Sequence, residues 1–327
     1  MAVYAISALH TLFAQDTFGD AMAGISAFRS DEARAAYCQL YDAALATSTV
    51  PVTVSDIETS FGRTHVLNAG DPSKPPLLAL HGSGISSTMW VPLLPTLAAT
   101  HSVTMIDAIG EPGKSIAAKP ITNITQIVEW LDETLRAVDI ERPAIVAASR
   151  GSLIATHYAM AFPDQVDRLA LVGPIGIVSS VRLSKLVSAL TTGGVRPTER
   201  RVQSLLDATV MPTNRGLLRQ EPWRPIMQQF VAGTIGFKPA SGNLPKRCDL
   251  QRLSSAQIPV LAIIGRDETF HSGPKMATRF RQQLPEARIE LVDDANHNLF
   301  VDQFDIVERL LVEFLKLGTH RALRDPK

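Results

Sequence analysis

The chain has 327 residues, of which 45% are hydrophobic and 20% are charged. This is the composition of an ordinary globular protein that is long enough to bury a large core. Lys plus Arg and Asp plus Glu both number 32, so the formal net charge is zero, and no basic run indicates a nucleic-acid partner. No apolar stretch reaches the length of a membrane span, so none is expected.

The chain has two cysteines, Cys38 and Cys248, which lie far apart and lack both CxxC spacing and a neighbouring histidine. A zinc site is therefore not expected, and two free thiols in a reducing compartment fit better than a disulfide. Residues 1–15 are mildly apolar but lack a basic start and a cleavage pattern, so they indicate an extra helix rather than a signal peptide. We expect a cytoplasmic protein.

The first helical pattern that we assign beyond this start covers residues 31–46. Residues 51–58 and 62–67 then alternate between apolar and polar positions and are separated by a Ser-Phe-Gly turn. This pattern predicts two short strands joined by a turn.

Continuous apolar runs follow, as in strands that are covered on both faces. They are residues 77–80, 103–106, 144–147, 169–172 and 260–264, with an edge strand expected at 289–292. Helical periodicity near 3.6 residues separates them, at 124–138, 153–162, 275–284 and 306–317. The alternation predicts an α/β fold with a mostly parallel central sheet flanked by helices. Ligands bind such sheets beyond the carboxyl ends of the strands.

One long segment breaks this alternation. Residues 174–256 contain amphipathic pieces and Pro or Gly punctuation but no apolar strand run, which predicts a helical insertion over the strand ends. We expect residues 1–173 and 257–327 to form the core, with an N-terminal helical extension over about residues 1–48. Residues 174–256 would form a helical cap or lid.

The most informative motif surrounds Ser149, which follows the buried run 144–147 and precedes a helical pattern. A serine in a tight turn between strand and helix is typical of a nucleophile elbow, which needs small residues two positions before and after it. Ala147 and Gly151 occupy those positions, so the motif is A-x-S-x-G rather than G-x-S-x-G. Taken alone, the segment fits a serine that merely caps a helix equally well.

A glycine-bearing turn, His81-Gly-Ser-Gly, directly follows the strand predicted at 77–80. Backbone N–H groups in such a turn can stabilise an oxyanion, and the expected donors are those of Ser83 and of Arg150, the residue after the nucleophile. A plain turn or a phosphate loop is the alternative, although the pattern lacks the third glycine of a dinucleotide motif.

A histidine and a carboxylate complete the pattern. His297 follows the last predicted strand, where it can serve as general base. Glu268 and Asp267 both follow the strand at 260–264, and either can orient the imidazole. Asp107 also ends a strand, but we interpret it as a structural residue that holds the loop over residues 110–115.

Serine, acid and histidine thus occur in the chain order of α/β-hydrolases, each at a predicted strand end. The chain resembles that superfamily along nearly its whole length, and most closely its bacterial carboxylesterase-like branch. The resemblance is carried by residues 28–32, 61–65, 81–84, 87–90, 106–115, 144–152, 265–268 and 296–298. It implies that the acid is Glu268, three residues after the glycine that ends its strand. Ala147 and Ser152 depart from the family by replacing common glycines, and Arg150 is less usual beside the nucleophile.

The resemblance implies hydrolysis of a small-molecule ester or related acyl substrate through an acyl-enzyme, with Ser149, His297 and Glu268 as the triad. No metal and no organic cofactor is implied. The same triad could instead serve acyl transfer, C–C bond hydrolysis, a lyase reaction or perhydrolysis. A ligand-binding protein that retains the fold without catalysis is a further alternative, and a homo-oligomer is compatible with the sequence.

Overall fold

The computed structural model describes residues 25–178, 198–238, 248 and 250–316. The helix expected at residues 1–15 lies outside the described residues, as does part of the expected insertion. Both cysteines are described and are free thiols, as expected. Among the described residues, no helix combines the length and the apolar character needed to cross a membrane.

A mixed β-sheet forms the centre of the molecule. The strands of the described chain are β1 (Ala27–Phe28), β2 (Val52–Thr59), β3 (Gly62–Ala69), β4 (Pro76–Leu80), β5 (Ser102–Ile106), β6 (Ile116–Ala117), β7 (Ala144–Ala148), β8 (Arg168–Val172), β9 (Phe237–Lys238), β10 (Val260–Gly265) and β11 (Arg288–Val292). The main sheet runs in the order β11-β10-β8-β7-β4-β5-β3-β2, and β6 pairs with β3. The strands from β11 to β5 are parallel, whereas β3 is antiparallel to both β5 and β2.

Helices cover both faces of this sheet. They are α1 (Asp31–Leu45), α2 (Leu94–Ala98), α3 (Ile124–Ala137), α4 (Arg150–Ala161), α5 (Glu199–Asp207), α6 (Trp223–Gly236), α7 (Gln251–Ser255), α8 (Gly273–Gln283), α9 (Leu299–Asp302) and α10 (Phe304–Lys316). Two apolar clusters separate helices from sheet, and each takes alternate residues of the buried strands. Leu77 and Ala79 of β4 belong to one cluster, whereas Leu78 and Leu80 belong to the other.

Burial explains why the strand predictions are confirmed. Strands β7, β8 and β10 are buried along their whole length, so they consist of continuous apolar runs. Strand β2 lies at an edge and is half exposed, so polar residues alternate with apolar ones. The expected α/β fold with a mostly parallel sheet is confirmed. Helix α4 begins at Arg150, earlier than the predicted residue 153, because the turn at Ser149 leads directly into it.

The longest described part of the expected insertion, residues 198–238, consists mainly of helices α5 and α6 and short 3-10 turns. It also contains β9, which pairs antiparallel with β1 and is too short to produce an apolar run in the sequence. The N-terminal helix α1 packs along α6, and its Tyr37 and Tyr41 are fully buried. Helix α1 therefore contacts the segment between β8 and β10 through α6.

Gln229 is the polar anchor of α6. Its side chain is fully buried, and its Oε1 accepts hydrogen bonds from Ser86 Oγ at 2.8 Å and Thr88 Oγ1 at 3.0 Å. Its Nε2 donates to the carbonyl of Leu40 at 3.3 Å. One side chain thus connects the inserted helix, the loop after β4 and the N-terminal helix.

Replacing Gln229 with Leu should lower the free energy of unfolding by about 1–3 kcal/mol, because the buried donors lose their acceptor. Urea denaturation of both variants measures the change. Gln228→Leu, on an exposed position of the same helix, is the matched control and should stay within about 0.5 kcal/mol of the parent protein. Equal effects of the two substitutions would show that Gln229 is not an anchor.

Candidate active site

Ser149 occupies a strained turn between β7 and α4. Its φ of 50° and ψ of −116° lie where a residue with a side chain is rarely found. The backbone is held there because Ser149 N–H donates to Val172 O at 2.9 Å and Ser152 N–H donates to Ser149 O at 3.0 Å. This is the geometry expected of a nucleophile elbow.

Close packing explains the small residues around Ser149. A β-carbon at Gly151 would lie 2.5 Å from the carbonyl oxygen of Leu80, so no larger residue fits between α4 and β4. The two departures from the family pattern contact each other, because Ser152 Oγ donates to the carbonyl of Ala147 at 2.9 Å. Ala147 and Ser152 are both fully buried, and the turn forms with them in place.

The structure brings the three predicted side chains together. His297 Nε2 lies 2.9 Å from Ser149 Oγ, and His297 Nδ1 lies 2.9 Å from Glu268 Oε2. The carboxylate that reaches the imidazole is therefore that of Glu268 and not that of its neighbour Asp267. The ring of Phe270 packs edge-on against the imidazole, with 4.8 Å between ring centroids.

Glu268 is an ionised carboxylate in a closed environment. Its side chain is fully shielded from solvent. Burial by itself raises the pKa of Glu268, but the charges of His297 and His271, together with hydrogen bonds from His297 and the Phe270 N–H, bring this pKa below its ordinary value. An ionised Glu268 can accept the Nδ1 proton of His297 and stabilise a positive imidazolium.

The loop that carries His297 is tied to the acid loop and to the inserted segment. Asn296 Oδ1 accepts from the N–H groups of Thr269 and His297, both at 2.8 Å, and its Nδ2 donates to Ala208 O at 3.2 Å. Asp302 accepts from Asn296 N–H at 2.8 Å. Sequence reasoning did not assign Asn296 a role, although its place directly before the histidine was the available signal.

Asp302 extends this network into the inserted segment. Its carboxylate also accepts from Met211 N–H and from Asn214 Nδ2, both at 2.9 Å. Asn298 N–H donates to Thr209 O at 2.9 Å. The position of His297 therefore depends on the chain that follows α5.

The loop after β4 lies against Ser149. A β-carbon at Gly82 would lie 3.2 Å from the Ser149 β-carbon, so the next residue, Ser83, adjoins the nucleophile. His81 holds this loop, because its Nε2 accepts from Ala108 N–H at 2.8 Å and its Nδ1–H donates to Gly82 O at 2.7 Å. Within the described residues, neither Ser83 N–H nor Arg150 N–H takes part in a hydrogen bond, so both can bind a substrate oxygen.

A carboxylate that sequence reasoning did not identify contacts both expected donor residues. Glu111 Oε1 lies 3.0 Å from Ser83 Oγ and 3.1 Å from Arg150 Nη1, and Glu111 Oε2 accepts from Gly84 N–H at 3.0 Å. The unusual Arg150 beside the nucleophile was the only sequence signal for such a partner.

Asp107 has the structural role expected of it. It is fully buried, and its Oδ1 accepts from Ser87 N–H at 2.9 Å and Ser87 Oγ at 2.6 Å. Its Oδ2 accepts from Lys114 N–H at 2.7 Å, and Ser115 Oγ donates to its carbonyl. These bonds hold the loop over residues 110–115 and keep Asp107 out of the catalytic group.

The strain at Ser149 predicts an unusual order of stability. Ser149→Gly and Ser149→Ala both remove the hydroxyl, but only glycine adopts a positive φ without steric cost. We expect the glycine variant to be more stable than the alanine variant by about 1–3 kcal/mol in urea denaturation. Ser152→Gly and Ser152→Ala serve as the control pair inside α4, where alanine should be the more stable.

Comparisons with known proteins agree with this geometry. A model of the alpha/beta hydrolase fold matches residues 75–304. Carboxylesterase YbfK from Bacillus subtilis is 24% identical over 295 residues, which cover 88% of this chain and 96% of the relative. The crystal structure of naproxen esterase from Bacillus subtilis has a TM-score of 0.79 and 25% identity, and covers 88% of this chain and 99% of that one.

A third relative is a hydrolase that is named for a different substrate. The 2-hydroxy-6-oxononadienedioate/2-hydroxy-6-oxononatrienedioate hydrolase from Cupriavidus pinatubonensis is 26% identical over 289 residues, or 81% of this chain and 94% of the relative. The family model covers most of the chain. The relatives are hydrolases, and the matches to this chain cover nearly their whole length. The chain is therefore an enzyme of the hydrolase type that belongs to the α/β-hydrolase fold family.

Proposed function

We propose that this protein hydrolyses carboxylic esters through an acyl-enzyme on Ser149, with His297 as general base and Glu268 as the acid that orients it. The observation that carries the proposal is the continuous hydrogen-bond chain Ser149 Oγ–His297 Nε2 and His297 Nδ1–Glu268 Oε2, with 2.9 Å at each step. The likeness to carboxylesterases over most of the chain supports the ester as substrate class.

The path of the transferred proton follows from this geometry. Glu268 accepts the Nδ1–H of His297, which leaves the Nε2 lone pair directed at the Ser149 hydroxyl. As Ser149 Oγ attacks the ester carbonyl, Nε2 takes its proton and then gives it to the leaving alkoxide. A water molecule repeats the sequence on the acyl-enzyme and releases the acid product.

The N–H groups of Ser83 and Arg150 are the proposed oxyanion donors. Ser83 follows Gly82, which lies against Ser149, and Arg150 directly follows Ser149. Both donors therefore lie near Ser149 Oγ, the atom that attacks. Fixed donors of this kind stabilise the charge that develops on the carbonyl oxygen and need no reorganisation during the reaction.

We also propose that residues 174–256 form a cap over a core made of residues 1–173 and 257–327. Contact between α6 and the oxyanion turn (residues 81–84) supports this division, since a β-carbon at Gly84 would lie 2.9 Å from the Phe230 ring. A small-molecule substrate would then be enclosed between the cap and the strand ends. Two free thiols support a cytoplasmic location.

Hydrolysis of a C–C bond is the second candidate, and the 26% identical relative from Cupriavidus pinatubonensis favours it. The same nucleophile and base could cleave a vinylogous 1,5-diketone, provided that the substrate first takes up a proton at carbon. Rates on p-nitrophenyl acetate and on a 2-hydroxy-6-oxohexadienoate distinguish the two, and we expect the ester to react faster.

Ser149→Ala should abolish ester hydrolysis, with kcat falling on the order of 10⁶-fold because the nucleophile is lost. p-Nitrophenyl acetate turnover and covalent labelling by a fluorophosphonate probe measure it. Ser152→Ala, three positions further along in helix α4, is the control and should keep its labelling. Persistent labelling of Ser149→Ala would refute the assignment of the nucleophile.

The neighbouring carboxylates Glu268 and Asp267 provide a matched pair. Glu268→Gln should lower kcat on the order of 10³–10⁴-fold, because an amide can hold His297 in the wrong tautomer and cannot balance the imidazolium. Asp267→Asn should change kcat by less than about threefold. The assignment of the acid would be wrong if the two effects were reversed.

A further inference from the structure

We propose that Glu111 is the positioning residue of the oxyanion hole, and that its carboxylate holds the two chain segments that carry the donor N–H groups. The proposal rests on the function proposed above. It adds a residue that contacts neither the triad nor the carbonyl carbon but determines where both oxyanion donors lie.

Glu111 lies in the loop between β5 and β6, and its backbone N–H donates to Ala108 O at 3.1 Å. Its side chain is only 12% exposed. Ala108 N–H is itself bound by His81, so the loop that presents Glu111 is anchored directly beside the oxyanion turn. A carboxylate on such a base is a fixed acceptor rather than a mobile surface group.

The oxyanion turn is held at two successive points. Ser83 Oγ donates to Glu111 Oε1 at 3.0 Å, and Gly84 N–H donates to Glu111 Oε2 at 3.0 Å. These two bonds fix the side chain of Ser83 and the peptide that follows it. They therefore restrict the orientation of the Ser83 N–H. The Phe230 ring packs against Gly84, whose φ is +76°, so the turn is enclosed between α6 and Glu111.

The same carboxylate holds the start of α4. Arg150 Nη1 lies 3.1 Å from Glu111 Oε1, and the Arg150 side chain is 37% exposed. This ion pair has a second effect, because an unpaired carboxylate at this place would oppose the negative charge of the oxyanion. Arg150 balances that charge, which accounts for an arginine directly after the nucleophile.

Glu111→Ala should lower kcat for p-nitrophenyl acetate by about 10- to 100-fold, less than the 10²–10³-fold that loss of a whole donor costs. KM should change by less than about threefold, because the acetyl group gains its contacts to the donors mainly in the transition state. The rate of fluorophosphonate labelling should fall by the same factor as kcat, since the phosphyl oxygen occupies the same donors.

Two further variants separate positioning from folding. Glu111→Gln keeps an acceptor for Gly84 N–H and a partner for Ser83 Oγ but loses the ion pair with Arg150, so its kcat should lie between those of Glu111→Ala and the parent protein. Glu111→Asp keeps the charge but is too short to reach all three donors, so it should remain at least about fivefold impaired. Circular dichroism and urea denaturation establish that each variant is folded before its rates are compared.

Glu133→Ala is the matched control. Glu133 on α3 accepts from Ser60 N–H at 2.6 Å and from Ser60 Oγ at 2.7 Å, the same pair of donor types, at the turn between β2 and β3. It should lose its two hydrogen bonds to Ser60 but keep kcat within about twofold.

The outcomes separate this proposal from the proposed function. One outcome would overturn the role of Glu111 alone. In it, Ser149→Ala loses labelling and turnover, but the folded Glu111 variants keep the kcat and labelling rate of the parent protein. A parent protein that labels but does not turn over esters still tests Glu111 through its labelling rate. A parent protein that neither labels nor hydrolyses overturns both proposals.

Discussion

The close approach of helix α4 to strand β4 is the constraint on which the site depends. At Gly151 the helix backbone lies so near the Leu80 and His81 carbonyls that even one β-carbon would be excluded. That approach requires a tight turn with a positive φ at Ser149, and the turn places the serine at the carboxyl end of the central strand β7. It also brings the loop after β4 against the serine, so nucleophile and oxyanion turn arise from a single packing contact.

Buried strands are the part of the fold that a sequence reports best. Strands β7, β8 and β10 are covered on both faces, and their short continuous apolar runs are typical of buried strands. Ser149 could be located because it follows such a run. His297 follows the partly exposed edge strand β11 and was located by the chain order that the fold family shares. The choice of Glu268 over Asp267 needed the family resemblance, since adjacent carboxylates point to different sides and periodicity does not tell which side faces the histidine.

Residues that act by polar contact across the fold could not be predicted in this way. Gln229, Asn296 and Glu111 each join segments that are distant in the chain, and no local pattern reports such contacts. Strand β9 was missed for a related reason, because two residues paired with β1 produce no periodicity. Sequence periodicity reflects burial over several residues, whereas these features depend on a single hydrogen bond or a single pair of strands.

With the cap proposed above, the network around Asn296 and Asp302 would link substrate preference to reaction rate. The chain after α5 shares hydrogen bonds with the loops of both the histidine and the acid, through Ala208, Thr209 and Met211. In that arrangement, a substitution there that reshapes the space for substrate would also displace the base. During divergence, changes of specificity in this stretch would therefore carry a cost in turnover.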